Sequence, residues 1–213
     1  MTIDYSYYLI ADEAACAPLS IIDAVEQVIT TGISCVQLRM KNQTPENIMR
    51  TGKQLLRLLR VRHIPLIIND HPDIALAIDA DGVHIGQMDK AYTTVRQQLG
   101  SKKVIGLTIE NIQQAQQCCH YDCDYFGVGP VFATATKKYA TAPLGIANLK
   151  NINAALGAPV IAIGGINTQN LQSVLATGVA GVAMASAIFS ASDPQLMSQK
   201  LAQTILQSRH VTA

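Results

Sequence analysis

Eight short apolar runs recur along this sequence, and longer stretches with helical periodicity separate them. The runs are Tyr7 to Ala11, Ser34 to Leu38, Pro65 to Ile68, Gly82 to Ile85, Val104 to Leu107, Tyr125 to Val128, Pro159 to Ile163 and Gly181 to Ala185. Such alternation is typical of parallel βα units, whose strands are buried on both faces. Eight units predict an α/β protein formed by a single (β/α)8 TIM barrel over residues 1–213.

An open doubly wound sheet is the alternative arrangement of such units. That fold usually carries a Gly-x-Gly-x-x-Gly turn after its first strand, whereas here the first run is followed by Asp12-Glu13-Ala14-Ala15. The barrel is therefore favoured. Two helix starts are also predicted. Ser20 can cap a helix that begins at Ile21, and Thr44 followed by Pro45 supplies a cap and a first-turn proline for the next helix.

Composition and charge exclude several classes of protein. The formal net charge of +1 gives no basic excess for nucleic acid. No uninterrupted apolar stretch reaches the roughly 18 residues that a membrane helix needs, and the start of the chain lacks the basic region of a secretion signal. The 5 cysteines are odd in number and contain no Cys-x-x-Cys pair, so neither disulfides nor a zinc site is predicted. We expect a cytoplasmic protein that binds neither nucleic acid nor membrane, and the oligomeric state stays open, a homo-oligomer included.

Polar residues or glycines that could bind a ligand follow seven of the eight runs, and no candidate is taken from the end of the first run. Barrel enzymes assemble their active sites at these carboxyl ends. The groups are Gln37, Arg39 and Lys41, then Asn69 and Asp70, Asp89, Thr108, Thr134 to Lys137, Gly164-Gly165 and Ala185-Ser186. Each group has a structural alternative: an exposed strand edge, turn and cap chemistry for the aspartates, a solvated Thr/Lys turn, or a tight glycine turn. His84 lies inside the fourth run and is interpreted as a core residue outside the chemistry.

Phosphate is the ligand that these groups indicate. The hydroxyls of Thr134 and Thr136, the ammonium of Lys137 and nearby backbone N–H groups can surround phosphate oxygens. The Gly164-Gly165 and Ala185-Ser186 turns would hold a second phosphate by backbone N–H donors.

Asp70 and Asp89 lie at neighbouring strand ends, where two carboxylates would repel each other unless a cation lay between them. Mg2+ uses one or two carboxylates together with waters and phosphate oxygens. With Arg39, Lys41 and Lys137 beside them, the two aspartates predict a magnesium site for a diphosphate.

Five segments together resemble the thiamine-phosphate synthase family. They are Gln37-Leu-Arg-Met-Lys41, Asn69-Asp70, Asp81-Gly-Val-His-Ile-Gly-Gln-Met-Asp89, Gly129-Pro-Val-Phe-Ala-Thr-Ala-Thr-Lys137 and Ile163-Gly-Gly-Ile166. The resemblance implies an Mg2+-dependent (β/α)8 transferase. Its reaction would join 4-amino-2-methyl-5-(diphosphooxymethyl)pyrimidine to a thiazole or carboxythiazole ethyl phosphate, giving thiamine phosphate and pyrophosphate. Pyrophosphate would leave first, and the thiazole nitrogen would capture the pyrimidine cation.

The same resemblance assigns roles to individual residues. Gln37, Arg39, Lys41, Asn69, Thr108 and Lys137 would bind the pyrimidine diphosphate, with Arg39, Lys41 and Lys137 as the catalytic cations. Asp70 and Asp89 would hold Mg2+, and Thr134, Thr136, Gly165, Ala185 and Ser186 would bind the thiazole phosphate. Thr108 departs from the family's common Ser, and Ala185 replaces a larger aliphatic residue.

Two other functions remain open alternatives at this point. A thiazole tautomerase of the same fold carries His where this chain has Pro130. A non-catalytic paralogue that binds phosphate ligands is the second.

Overall fold

The chain closes into a barrel of eight parallel strands. The computed structural model describes residues 3–134 and 142–211, and its strands pair in chain order, with β8 returning to β1. The strands are β1 (Tyr7–Asp12), β2 (Cys35–Arg39), β3 (Leu66–Asn69), β4 (Gly82–Ile85), β5 (Val104–Ile109), β6 (Tyr125–Val128), β7 (Val160–Ile163) and β8 (Gly181–Met184). The prediction of a (β/α)8 barrel is confirmed, and the open doubly wound sheet is wrong.

Helices connect successive strands. In the described parts of the chain they are α1 (Glu13–Cys16), α2 (Ile21–Val28), α3 (Pro45–Arg60), α4 (Pro72–Ala77), α5 (Tyr92–Leu99), α6 (Ile112–Cys118), α7 (Gly145–Ala155), α8 (Leu171–Leu175), α9 (Ser186–Phe189) and α10 (Pro194–Val211). Both predicted caps form, since Ser20 accepts the N–H of Asp23 at 3.2 Å and Thr44 accepts that of Asn47 at 3.3 Å. Over the residues described, no helix combines the length and the apolar character needed to cross a membrane.

The strands divide their side chains between two buried layers. Along β1, Tyr7, Leu9 and Ala11 belong to the large cluster between the strands and the helices, whereas Tyr8 and Ile10 belong to a smaller cluster. Alternation follows because successive strand residues point to opposite faces. The smaller cluster also includes Cys35, Ile67, Tyr125, Ile161 and Ala183, each from a different strand. A layer filled from so many strands is the packed interior of the barrel, and burial on both faces explains why the strands read as continuous apolar runs.

Candidate active site

A cavity lies at the carboxyl ends of the barrel strands. Its lining includes eleven of the residues proposed from the sequence: Gln37, Arg39, Lys41, Asn69, Asp70, Asp89, Thr108, Thr134, Gly165, Ala185 and Ser186. The carboxyl ends of parallel strands meet at one rim, so residues far apart in sequence converge there. Two further proposed residues, Thr136 and Lys137, lie outside the described residues.

Two carboxylates meet on one side of this cavity. Asp89 lies close enough to Asp70 for the two carboxylates to affect each other, and Asp89 Oδ2 accepts the N–H of Gly86 at 2.7 Å. The Nζ atom of Lys41 forms an ion pair with Asp70 Oδ2. Burial, and then the neighbouring Asp70, raise the pKa of Asp89, while the Gly86 N–H and Lys41 oppose this change. The repulsion expected from the sequence is therefore present, and a further cation would relieve it.

Neither aspartate caps the helix that follows it. Helix α5 begins at Tyr92 with Ala91 as its N-cap residue, so the interpretation of Asp89 as a helix cap is wrong. The N-cap residue of α4 is His71, and no side-chain hydrogen bond caps that helix. Asp70 has a φ of 64°, and its N–H donates to the carbonyl of His84 at 2.8 Å.

The carboxylate pair fits Mg2+ by the chemistry of its donors. No group of three or more His, Cys, Asp or Glu residues suited to a metal ion occurs in residues 3–134 and 142–211. Such a group would be required for a metal held by protein ligands alone. Mg2+ keeps several waters and binds through one or two carboxylates plus substrate phosphates, so Asp70 and Asp89 would suffice.

Arg39 is held by an aspartate that the sequence analysis did not include. Asp12 ends β1 directly opposite Arg39 in the parallel register, and their side chains form an ion pair. Asp12 is only 3% exposed, and its Oδ1 atom also accepts the N–H of Ala15 at 3.0 Å. The sequence analysis took no candidate from the end of the first strand and therefore missed Asp12. The signal was an acidic residue at the carboxyl end of an apolar run.

A chain of side-chain hydrogen bonds crosses the interior of the barrel below the rim. Gln37 Nε2 lies 3.0 Å from the Tyr8 hydroxyl, which lies 2.8 Å from the Tyr125 hydroxyl. His84 links Tyr125 to Thr108, with Nδ1 3.0 Å from the Tyr125 hydroxyl and Nε2 2.9 Å from Thr108 Oγ1. All five residues line the cavity. His84 is thus part of the cavity wall, and the interpretation that it takes no part in the chemistry stays a prediction.

Glycines form the opposite side of the cavity. Gly164 and Gly165 have φ angles of 98° and 63°, and a Cβ atom on Gly165 would lie 2.5 Å from the carbonyl oxygen of Ala133. Only glycine fits such a turn. Asn170 Nδ2 donates to the Gly165 carbonyl at 3.0 Å, and α8 begins at Leu171.

The fold and the site together define a (β/α)8 barrel protein whose charged rim suits phosphorylated ligands. Residues 7–188 match the family described as thiamine monophosphate synthase. The chain is 42% identical over 202 residues to thiamine-phosphate synthase of Clostridium novyi (strain NT), covering 95% of this chain and 99% of that protein. It is 40% identical over 194 residues to thiamine-phosphate synthase of Desulfitobacterium hafniense (strain Y51), covering 91% and 94%. The chain therefore belongs to the thiamine monophosphate synthase family.

Solved structures agree with this assignment. Thiamine phosphate pyrophosphorylase from Pyrococcus furiosus superposes with a TM-score of 0.87 at 29% identity, covering 97% of this chain and 98% of that chain. A 3-hexulose-6-phosphate synthase from Salmonella typhimurium has a TM-score of 0.73 at 18% identity, covering 95% and 99%, and shows the shared fold alone.

Proposed function

We propose that the protein is a thiamine-phosphate synthase. In this reaction the pyrimidine diphosphate and the thiazole phosphate combine to give thiamine phosphate and pyrophosphate. The observation that carries the proposal is the convergence of Asp70, Asp89, Arg39 and Lys41, from three different strand ends, on one cavity. A cytoplasmic location remains a prediction from the sequence, and the oligomeric state stays open.

The two substrates would occupy different sides of the cavity. Gln37, Asn69 and Thr108 present amide and hydroxyl groups suited to the polar edges of a pyrimidine ring. The glycine turn at Gly165 and the start of α9 at Ser186 would hold the thiazole phosphate by backbone N–H groups. The thiazole nitrogen would then lie beside the methylene carbon of the pyrimidine.

Asp70 and Asp89 would hold Mg2+, and the ion when bound would neutralise charge on the diphosphate oxygens. Arg39 would add a fixed positive charge, because its ion pair with Asp12 restrains the guanidinium at the rim. Lys41 already lies beside Asp70, so its ammonium would be close to a diphosphate held there. Lys137, outside the described residues, is proposed as the third cation.

The reaction needs no general base. The bond between the pyrimidine methylene carbon and the diphosphate oxygen breaks, and pyrophosphate departs with the bonding electron pair. The lone pair of the thiazole nitrogen then forms the new carbon–nitrogen bond with the resulting cation. Preorganised cations aimed at the departing oxygens stabilise the transition state for this step.

The direct test incubates the purified protein with Mg2+ and both substrates and measures thiamine phosphate and pyrophosphate. We expect both products in equal amounts, and none when either substrate is omitted or EDTA is present. Binding of the pyrimidine diphosphate without pyrophosphate release would instead indicate a non-catalytic paralogue. Isomerisation of the thiazole without the pyrimidine would indicate a tautomerase.

A further inference from the structure

A chain of hydrogen bonds joins Gln37, Tyr8, Tyr125, His84 and Thr108. Its direction is the order in which each group donates a proton to the next one. We infer that this direction fixes His84 as the neutral Nε2–H tautomer and leaves the hydroxyl proton of Thr108 available to a ligand in the cavity. Tyr8, Tyr125 and His84 are then positioning residues for ligand recognition. The identity of the ligand, a pyrimidine, rests on the proposed function, whereas the proton order does not.

The direction follows from the donors along the chain. An amide nitrogen can only donate, so the Tyr8 oxygen accepts from Gln37 Nε2 and the Tyr8 proton is available to the Tyr125 oxygen 2.8 Å away. Cys35 also lies near the Tyr8 hydroxyl, but sulfur is a weak acceptor. A Tyr125 oxygen that accepts from Tyr8 then has its own proton available for His84 Nδ1, 3.0 Å away. A neutral imidazole with an accepting Nδ1 carries its proton on Nε2 and donates it to Thr108 Oγ1.

Burial keeps both phenols protonated and makes an alternative proton order costly. Tyr8 and Tyr125 are each 1% exposed, and burial raises the pKa of both hydroxyls well above the ordinary value. If His84 were an imidazolium, the Tyr125 oxygen would accept hydrogen bonds from both Tyr8 and His84. The hydroxyl proton of Tyr125 would then need a further buried acceptor. A buried donor without an acceptor is destabilising.

The rings of this chain are fixed by close packing. A Cβ atom on Gly106 would lie 2.0 Å from Tyr125 Cζ, and a Cβ atom on Gly127 would lie 2.9 Å from His84 Cε1. The two glycines therefore leave space for the Tyr125 and His84 rings, and the rings fill it. Tyr5 packs against Tyr125 with the two ring planes tilted by 42° and the ring centroids 4.8 Å apart.

A fixed proton order would determine how a pyrimidine is oriented. Thr108 would donate, so the ring edge facing it must carry an acceptor such as a ring nitrogen. Gln37 would keep its carbonyl oxygen as an acceptor, which suits an amino group. An aminopyrimidine bound in the reversed orientation would place its amino group against the Thr108 hydroxyl, so that two donors would face each other. Buried polar groups left unpaired in this way strongly disfavour the wrong arrangement.

The first experiment measures the tautomer directly in the ligand-free protein. Two-bond 1H–15N correlation spectra of protein labelled with 15N-histidine distinguish the two neutral tautomers and the imidazolium. The His84 signals are identified by their loss in His84→Asn. We expect the Nε2–H tautomer at neutral pH. Either the Nδ1–H tautomer or an imidazolium would overturn the inference, whatever the protein catalyses.

The second experiment compares adjacent tyrosines of β1. Tyr7 is as buried as Tyr8, but its hydroxyl lies 2.7 Å from Ser198 Oγ, outside this chain. We expect Tyr8→Phe and Tyr125→Phe to raise the KM for the pyrimidine diphosphate about tenfold, roughly the effect of one hydrogen bond, with the KM for the thiazole phosphate unchanged. Tyr7→Phe should change melting temperature and neither KM.

Equal KM values in Tyr125→Phe and wild type, or an equal rise in Tyr7→Phe, would contradict the positioning role. If the wild-type protein makes no thiamine phosphate, the proposed function fails, and the tautomer measurement alone decides the inference.

Discussion

Removal of the Asp12 carboxylate should lower both stability and turnover, because Arg39 would lose its counter-charge. Asp12→Asn is the sharpest change. An asparagine can still accept the N–H of Ala15, so the local hydrogen bond at the start of α1 survives while the ion pair with Arg39 is lost. Asp12→Ala removes both contacts.

The expected magnitude follows from the burial of the pair. Removing one partner of a fully buried pair costs about 3–5 kcal/mol, and exposed pairs contribute about 0.2–1 kcal/mol. The Asp12 side chain is 4% exposed and that of Arg39 is 16% exposed, which places the pair between these limits. We expect Asp12→Asn to lose about 2 kcal/mol, or roughly 4–8 °C in melting temperature for a chain of this size. Asp12→Ala should lose about 1 kcal/mol more, because the cap is also removed.

The assay is a double-mutant cycle on turnover and melting temperature with Asp12→Asn, Arg39→Gln and the double variant. If Asp12 acts through Arg39, Asp12→Asn should lower kcat about tenfold in the wild-type background and have little effect after Arg39→Gln. Asp193→Asn is the matched control, since Asp193 accepts the N–H of Leu196 at 2.9 Å on an exposed surface. Additive effects on kcat would refute the reasoning.

Three further outcomes are expected. Burial and Asp70 raise the folded-state pKa of Asp89 above its unfolded value, so its carboxylate destabilises the ligand-free fold once the pH exceeds both values. Asp89→Asn should therefore raise the melting temperature at pH 7, lose this advantage below the unfolded pKa, and abolish turnover; an unchanged or lower melting temperature at pH 7 would contradict the pKa direction. Gly106→Ala should lower the melting temperature sharply, because its Cβ would overlap the Tyr125 ring, whereas Gly157→Ala, with nothing within 4 Å, is the control. EDTA should abolish product formation and added Mg2+ should restore it; full activity after dialysis against EDTA would exclude a magnesium requirement.

The sequence predicted the barrel and the convergence of the rim residues, because both depend on signals that are local in the chain. Apolar runs buried on both faces are continuous in sequence, and Ser20 and Thr44 contact residues only three positions away. The carboxyl ends of the strands meet for topological reasons, so Asp70 and Asp89 could be expected to lie together without knowledge of the register.

The missed residues depend on contacts across the closed barrel. The Asp12 partner is set by the register of β1 against β2, and the Tyr8 hydroxyl meets that of Tyr125, 117 positions away, across the barrel interior. An apolar run does not show which of its residues face inward. Alternation along β1 separates Tyr7 from Tyr8, but the inward face is known only once the barrel is closed. The place of His84 in the cavity wall likewise follows only from the closed barrel.

The charges at the rim explain why binding of a diphosphate would depend on a divalent cation. Arg39 and Lys41 are paired with Asp12 and Asp70, which leaves the carboxylate of Asp89 as the excess negative charge among these five residues. A diphosphate that approached without a metal would meet this negative charge together with cations that are already paired. Mg2+ would reverse the sign of the local charge, and the same ion would then attract the diphosphate. The ligand-free rim is therefore expected to bind pyrimidine diphosphate weakly in EDTA and tightly with Mg2+, whereas binding of the thiazole phosphate on the glycine side should depend little on the metal.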